Sequence, residues 1–351
     1  MRAIIFHTLL FLFICSGCKH SESSSAYKSI IAAGHAPSMV QDRHGRLHIA
    51  YCEGDSIMYV YSSTGGKTFS APALVSLLPG LASSHARGPQ IAVSGQQLTI
   101  IAGNKSGNIF SFAKKGESDW LKTARVNDRD STSKEELMSL HGDGHGLYAV
   151  WLDLRTGHNQ IYGSALADGG ASWTENMLIY ASPDSTVCEC CRPSVAVKDN
   201  HVYVMFRNLI NGNRDLYLLQ SDDGGKNFGP AQKLGTGSWK LNGCPMDGGG
   251  LVIDDQGMPQ TVSRREDKVY SCEPGKPEKE IATGRSCSMA IAGGKNIYVW
   301  TEKGEVMCML SPDKKQDLGK GNLPIVRTTN NHNVVCVWEQ DKQLHAAVME
   351  L

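Results

Sequence analysis

The stretch Ser221-Asp222-Asp223-Gly224-Gly225-Lys226-Asn227-Phe228 decides how this chain is read. It fits the pattern Ser-x-Asp-x-Gly-x-x-aromatic, and two looser copies stand upstream. One spans residues 62–69 with Thr64 in the Asp place, and the other spans 166–173 with Asp168, Gly170 and Trp173. Such a block makes a tight turn. The Asp side chain accepts hydrogen bonds from nearby backbone N–H groups, Gly takes a positive φ, and the aromatic packs back on the hairpin. A single Asp-Gly-Gly is an ordinary turn. Three copies, each following a strand-like run such as 215–220 and preceding a short strand, imply a hairpin unit that repeats.

Outward from these turns a longer phrase recurs: a small residue or Pro, an apolar strand, a turn, then a strand ending in an aromatic and a polar residue. It covers residues 37–53, 89–104, 138–153, 193–208, 247–265, 287–302 and 324–339. A third strand follows each phrase, and a fourth follows the special turn where it occurs. The seventh phrase stops short after residues 344–349, and its missing outer strand is expected from residues 28–33 near the N-terminus. Closing the ring that way avoids an open edge. The expectation is an all-β propeller of four-stranded blades, seven blades favoured and six the alternative.

The turn blocks resemble the Asp-box (BNR) repeats of the sialidase superfamily. That resemblance implies a propeller related to glycan-processing and sugar-binding proteins, and sialidases themselves have six blades. Asp-boxes fix the fold and carry none of the chemistry. The start of the chain resembles a bacterial lipoprotein signal. Met1-Arg2 precedes an apolar run, 3–14, too short to span a bilayer comfortably, which ends in Ile14-Cys15-Ser16-Gly17-Cys18. Cys18 is then the lipidated residue, residues 1–18 the signal peptide and lipobox, 19–26 a tether and 27–351 the propeller. An ordinary secretory signal cleaved nearby is the other reading. Both export the protein, and the lipobox points to a lipid anchor in the bacterial cell envelope, with the outer membrane as its site.

Composition narrows the function classes. The chain has 351 residues with Lys+Arg 35 and Asp+Glu 35, so no excess of positive charge points to nucleic acid. The expected partners are a glycan or glycoconjugate and the membrane, for a protein acting as a monomer. Eleven cysteines less Cys15 and Cys18 leave nine in the folded part, an odd number in an oxidising compartment.

Propeller ligands gather where the loops before each first strand converge on the channel mouth. Cys188-Glu189-Cys190-Cys191-Arg192-Pro193 is the sharpest motif there. Cys188, Cys190 and Cys191, with Cys244 from the next blade, suit either a disulfide between blades or a thiolate site for Zn or Cu. The disulfide, coupling Cys190 or Cys191 to Cys244, is favoured, and no cofactor is required. Cys272 and Cys308 fall on third strands of consecutive blades and offer a second pair. Arg87, Arg192 and Arg285 each precede a first strand, and together resemble the arginine triad by which sialidases grip a carboxylate. His35 and His85 join them as substrate-binding candidates, although the first-blade position reads His35-Ala36-Pro37, without Arg. Glu135, Glu136, Asp153, Glu189 and Asp247 are the acid or base candidates for cleaving a glycosidic bond. The functional expectation is an exo-glycosidase or glycan-processing enzyme acting on an acidic sugar. The alternative is a non-catalytic propeller that binds glycan, protein or metal.

Overall fold

The computed structural model describes residues 26–329 and 333–351. Cys18 and the export segment lie outside the described residues. Twenty-eight strands, β1–β28 in chain order, form seven four-stranded antiparallel sheets. The protein is a seven-bladed propeller, and the six-bladed alternative is set aside. No helix among the described residues is long and apolar enough to cross a membrane.

Seven innermost strands surround the axis: β2 (His35–Gln41), β6 (Gln90–Ser94), β10 (Met138–Gly142), β14 (Ser194–Lys198), β18 (Gly250–Ile253), β22 (Arg285–Ala292) and β26 (Asn322–Thr328). Six blades run outward in simple chain order. The seventh takes β26, β27 (Asn333–Gln340) and β28 (Gln343–Glu350), then borrows β1 (Tyr27–Ala33) as its outer strand, with Tyr27 opposite Val348. The N-terminal strand thus covers the edge that β28 would otherwise leave open.

Each sheet packs on both faces, so its second strand is largely buried. Residues Leu47–Glu53 of β3 are buried except for the last. The core is divided into seven clusters, one between each neighbouring pair of blades. They are unequal. Fourteen buried residues join blades 6 and 7, whereas six join blades 4 and 5 and six join blades 5 and 6. Blade 5 is therefore held least by apolar contact.

The 221–228 turn shows why such blocks repeat. Asp223 Oδ1 accepts from Lys226 N and Asn227 N at 3.0 and 2.9 Å, and its carboxyl is held well below the usual range by Asn227 above all. Those donors are exposed. The buried part of the turn is Ser221 Oγ, which accepts from Gly225 N at 2.9 Å. Gly225 has φ 85° and lies against Tyr148 of the preceding blade, whose hydroxyl donates to the Gly225 carbonyl at 3.0 Å. A Cβ there would come 2.1 Å from the Tyr148 ring, so only glycine fits. The 62–69 block repeats the scheme, with Thr64 Oγ1 accepting from Thr68 N at 2.8 Å and Gly66 against Val335 of blade 7. At 166–173 the pattern is used differently. Asp168 accepts from Ser94 of blade 2 at 2.9 Å, and Trp173 Nε1 donates to Ser111 of the same blade at 3.1 Å. All three blocks fasten one blade to the blade before it.

Candidate functional site: the channel and its mouth

The loops leading into the inner strands meet at one end of the ring, and most enter through a left-handed residue. Ala36, Ala86, Glu136, Met246, Ser286 and Leu323 have φ between 52 and 60°. Non-glycine residues hold this conformation only where surrounding contacts fix it. Those contacts run between blades. Glu339 accepts from Ala36 N at 2.7 Å, and buried Asp247 accepts from Ser286 N at 2.7 Å. His85 reaches right across the opening, its Nε2 2.7 Å from the Met246 carbonyl. Beneath it lies a small mouth pocket of about 100 Å³. Burial pushes the Glu339 carboxyl up, although the Ala36 N–H opposes that shift.

Behind the mouth a channel of about 490 Å³ follows the inner strands to the opposite, hairpin face. Much of its wall is small: Ser38, Ser139, Ser194, Ala196 and Ser288 leave it open. Three nitrogenous side chains project among them. Arg192 lines both cavities, and its guanidinium has no ion pair or hydrogen bond among the described residues. Among the described residues Arg327 donates only to the Val326 carbonyl, at 2.8 Å. Burial lowers both arginines from their ordinary value, and Arg192 further lowers Arg327. Both stay protonated at neutral pH. The third is His141, whose Nδ1 accepts from Val197 N at 3.1 Å, so its proton sits on Nε2. Burial, then Arg327, brings its pKa down to about 4. At the hairpin end Lys198 Nζ binds the carbonyls of Asp254 and Asp255. Among the described residues Asp255 is the single carboxylate on this wall, so the channel is positive.

The structure separates most of the residues picked from sequence. The three arginines do not converge. Arg87 is spent on Glu135 and Glu136, with N–O distances of 3.5 and 3.3 Å, while Arg285 is exposed and opens β22 opposite Thr301. Of the three, Arg192 alone lines both the mouth pocket and the channel. Glu135 and Glu136 are pushed up by burial and pulled back by Arg87, and Glu189 is exposed beside Glu135. Asp153 is fully buried beneath its blade. Burial would raise its pKa, but Arg155 and Trp151 hydrogen bonds hold it low, and Thr132 Oγ1 donates to it as well. That carboxylate is fully engaged in structure. His35 faces a shallow outer hollow with Glu53 and Glu339.

At the rim, Cys190 and Cys244 are joined in a disulfide. Cys188 and Cys191 stay free and buried beside it, their Sγ atoms 3.5 Å apart, with Arg214 Nη1 donating to Cys188 Sγ at 3.1 Å. The hydrogen bond with Cys191 does most to lower the Cys188 pKa. Cys272 and Cys308 are both free and lie in different core clusters, so the second pair expected from sequence does not form. Seven free thiols account for the odd count. Arg327, His141 and Glu339 were missed in the sequence. For Arg327 the available signal was a charged residue inside a first strand, in Ile325-Val326-Arg327, where blades 1 and 6 carry Val40 and Ala290 at the same register.

Solved structures with this architecture are numerous and remote. The BP39L lectin from Burkholderia pseudomallei aligns at 10% identity and TM-score 0.62, over 92% of this chain and 97% of its own. A virginiamycin B lyase from Staphylococcus aureus aligns at 9% identity and TM-score 0.56, over 93% and 99%. A protein of unknown function from Dyadobacter fermentans aligns at 13% identity and TM-score 0.50, over 93% and 98%. The likeness is one of fold. No protein-family model matches the chain, and no curated protein does.

Proposed function

We propose that the protein is a glycan-binding propeller of the cell envelope that takes a carboxylate-bearing sugar into its channel. The observation that carries this reading is Arg192. A guanidinium without a counter-charge among the described residues, placed where two cavities meet and close enough to Arg327 to lower it, calls for an anion. A carboxylate meets a planar guanidinium through two parallel hydrogen bonds. The His141 Nε2–H and the channel hydroxyls supply donors suited to a sugar's remaining oxygens. That a protein named as a lectin shares the ring adds that such a ring carries sugar binding elsewhere.

Titration of the protein with N-acetylneuraminate and with glucuronate tests the reading. Arg192→Ala is expected to weaken binding roughly tenfold or more, because hydrogen bonds to charged groups are worth about 1.5–3 kcal/mol. Arg285→Ala is expected to leave it unchanged. Affinity that ignores Arg192, or that favours neutral sugars, overturns the proposal.

A second reading, hydrolysis of the bound sugar, draws on Glu339, a carboxyl pushed up by burial on the same mouth pocket as Asp247. Release of free sugar that disappears in Glu339→Gln, with binding retained, is its signature. Anchoring at Cys18 belongs to the same proposal and rests on the sequence motif. A fatty-acid label that persists in Cys18→Ser refutes it.

A further inference from the structure

Four sulfurs meet where blades 4 and 5 adjoin at the mouth. The Sγ atoms of Cys188, Cys190 and Cys191 all lie within 4.8 Å of one another, and the disulfide brings Cys244 to Cys190. Cys188 Sγ is 3.5 Å from Cys191 Sγ and 3.8 Å from Cys190 Sγ. A tetrahedral four-thiolate site with metal–sulfur bonds near 2.3 Å has sulfur–sulfur edges of about 3.8 Å. Three corners of such a tetrahedron therefore stand nearly in place. The fourth corner is the exposed Cys244, which must move about 2 Å away from Cys190 to complete it.

The setting supports a metal as well as the spacing does. Cys188 and Cys191 are fully buried, whereas Cys190 is half-buried and Cys244 exposed, so a cation has a path in from the side of Cys244. The Cys188 N–H is fixed to the Arg207 carbonyl at 3.0 Å, and Val187 forms a bridge with Asn208, which locks the loop entering the cluster. The Arg214 guanidinium on Cys188 Sγ places positive charge where four thiolates would leave an excess of negative charge. Hydrogen-bond partners of this kind orient ligands and tune a site.

We propose that Cys188, Cys190, Cys191 and Cys244 form a four-thiolate site for a soft cation, Zn²⁺ or Cu⁺, and that the Cys190–Cys244 disulfide is the oxidised, metal-free state. A dithiol reductant supplies two electrons and two protons, opening the S–S bond to two thiols while itself closing to a disulfide. The cation then displaces the thiol protons and takes the four sulfurs. Soft thiolates select these ions over hard ones such as Mg²⁺.

The test uses the whole protein, reduced by a dithiol under anaerobic conditions, loaded with Zn²⁺ or with Cu⁺ in separate arms, and freed of excess metal. Elemental analysis is expected to find one metal per chain in the reduced protein and none in the oxidised protein. Which arm survives a competing chelator identifies the ion. Co²⁺ in place of Zn²⁺ is expected to give the charge-transfer and d–d bands of tetrahedral thiolate coordination. Loss of outer-shell partners alone typically costs about 10–100-fold in affinity, so Cys244→Ser, on an exposed loop, is expected to cost at least that. Cys272→Ser, remote from the cluster, is expected to cost nothing. A reduced wild-type chain that retains no metal overturns the proposal, as does retention that is equal in Cys244→Ser.

Discussion

At the scale of single residues, the channel rests on side chains whose partners lie on neighbouring strands. His141 illustrates this. Burial above all opposes its protonation in the folded state, and nearby Arg327 adds to that, while the Val197 N–H occupies Nδ1. The folded pKa is about 4. An unfolded His titrates near 6.5. The unfolded chain therefore binds the proton first as pH falls. The native state keeps its full advantage above about 6.5, loses it through the window down to 4, and has lost it all below, at most about 3 kcal/mol. Urea titrations at pH 4.5 and 7.5 are expected to show a smaller pH difference in His141→Gln than in the wild type. Equal differences would refute this account. His141 and Arg327 were illegible in the sequence for a related reason. A side chain in a first strand faces either the channel or the neighbouring blade, and a single strand of four to eight residues does not announce which.

At the scale of elements, the blades were largely legible because both parts of their code are local. Apolar middle strands and repeated turn residues need no knowledge of the partner blade. The arginine placement needed that knowledge. Arg87, Arg192 and Arg285 occupy comparable places before first strands, yet Glu135 and Glu136 capture Arg87 and the bulge at the start of β22 leaves Arg285 exposed. The uneven interfaces were equally hidden, and they give the Cys190–Cys244 link a mechanical meaning. It crosses from blade 4 to blade 5, one of the two interfaces with the fewest buried apolar residues. It closes a loop of sequence separation 54. A cross-link over such a loop is worth about 4 kcal/mol in the chain-entropy account. Reduction without added metal is therefore expected to open blade 5 first. Amide exchange should quicken in β18–β21 (Gly250–Thr283) well before the blade 6–blade 7 pair, Arg285–Thr328 with its 333–350 hairpin. Uniform quickening around the ring would refute that order.

At the scale of the whole molecule, the seven blades form a circle whose two ends are the first and last strands of the chain. Tyr27 of β1 lies opposite Val348 of β28. Chains emerge during synthesis at about 5–20 residues per second, so β1 (Tyr27–Ala33) waits roughly 15–65 s for its partner β28 (Gln343–Glu350). Until then blade 7 does not exist, blade 1 lacks one neighbour, and the cluster joining them, with Leu47, Ile49, Val335 and Val337, is unassembled. A nascent chain of this protein therefore cannot lock into its finished circle before β28 has been made. For a chain exported as we propose, that delay leaves the ring unclosed while the chain would be handed to the membrane.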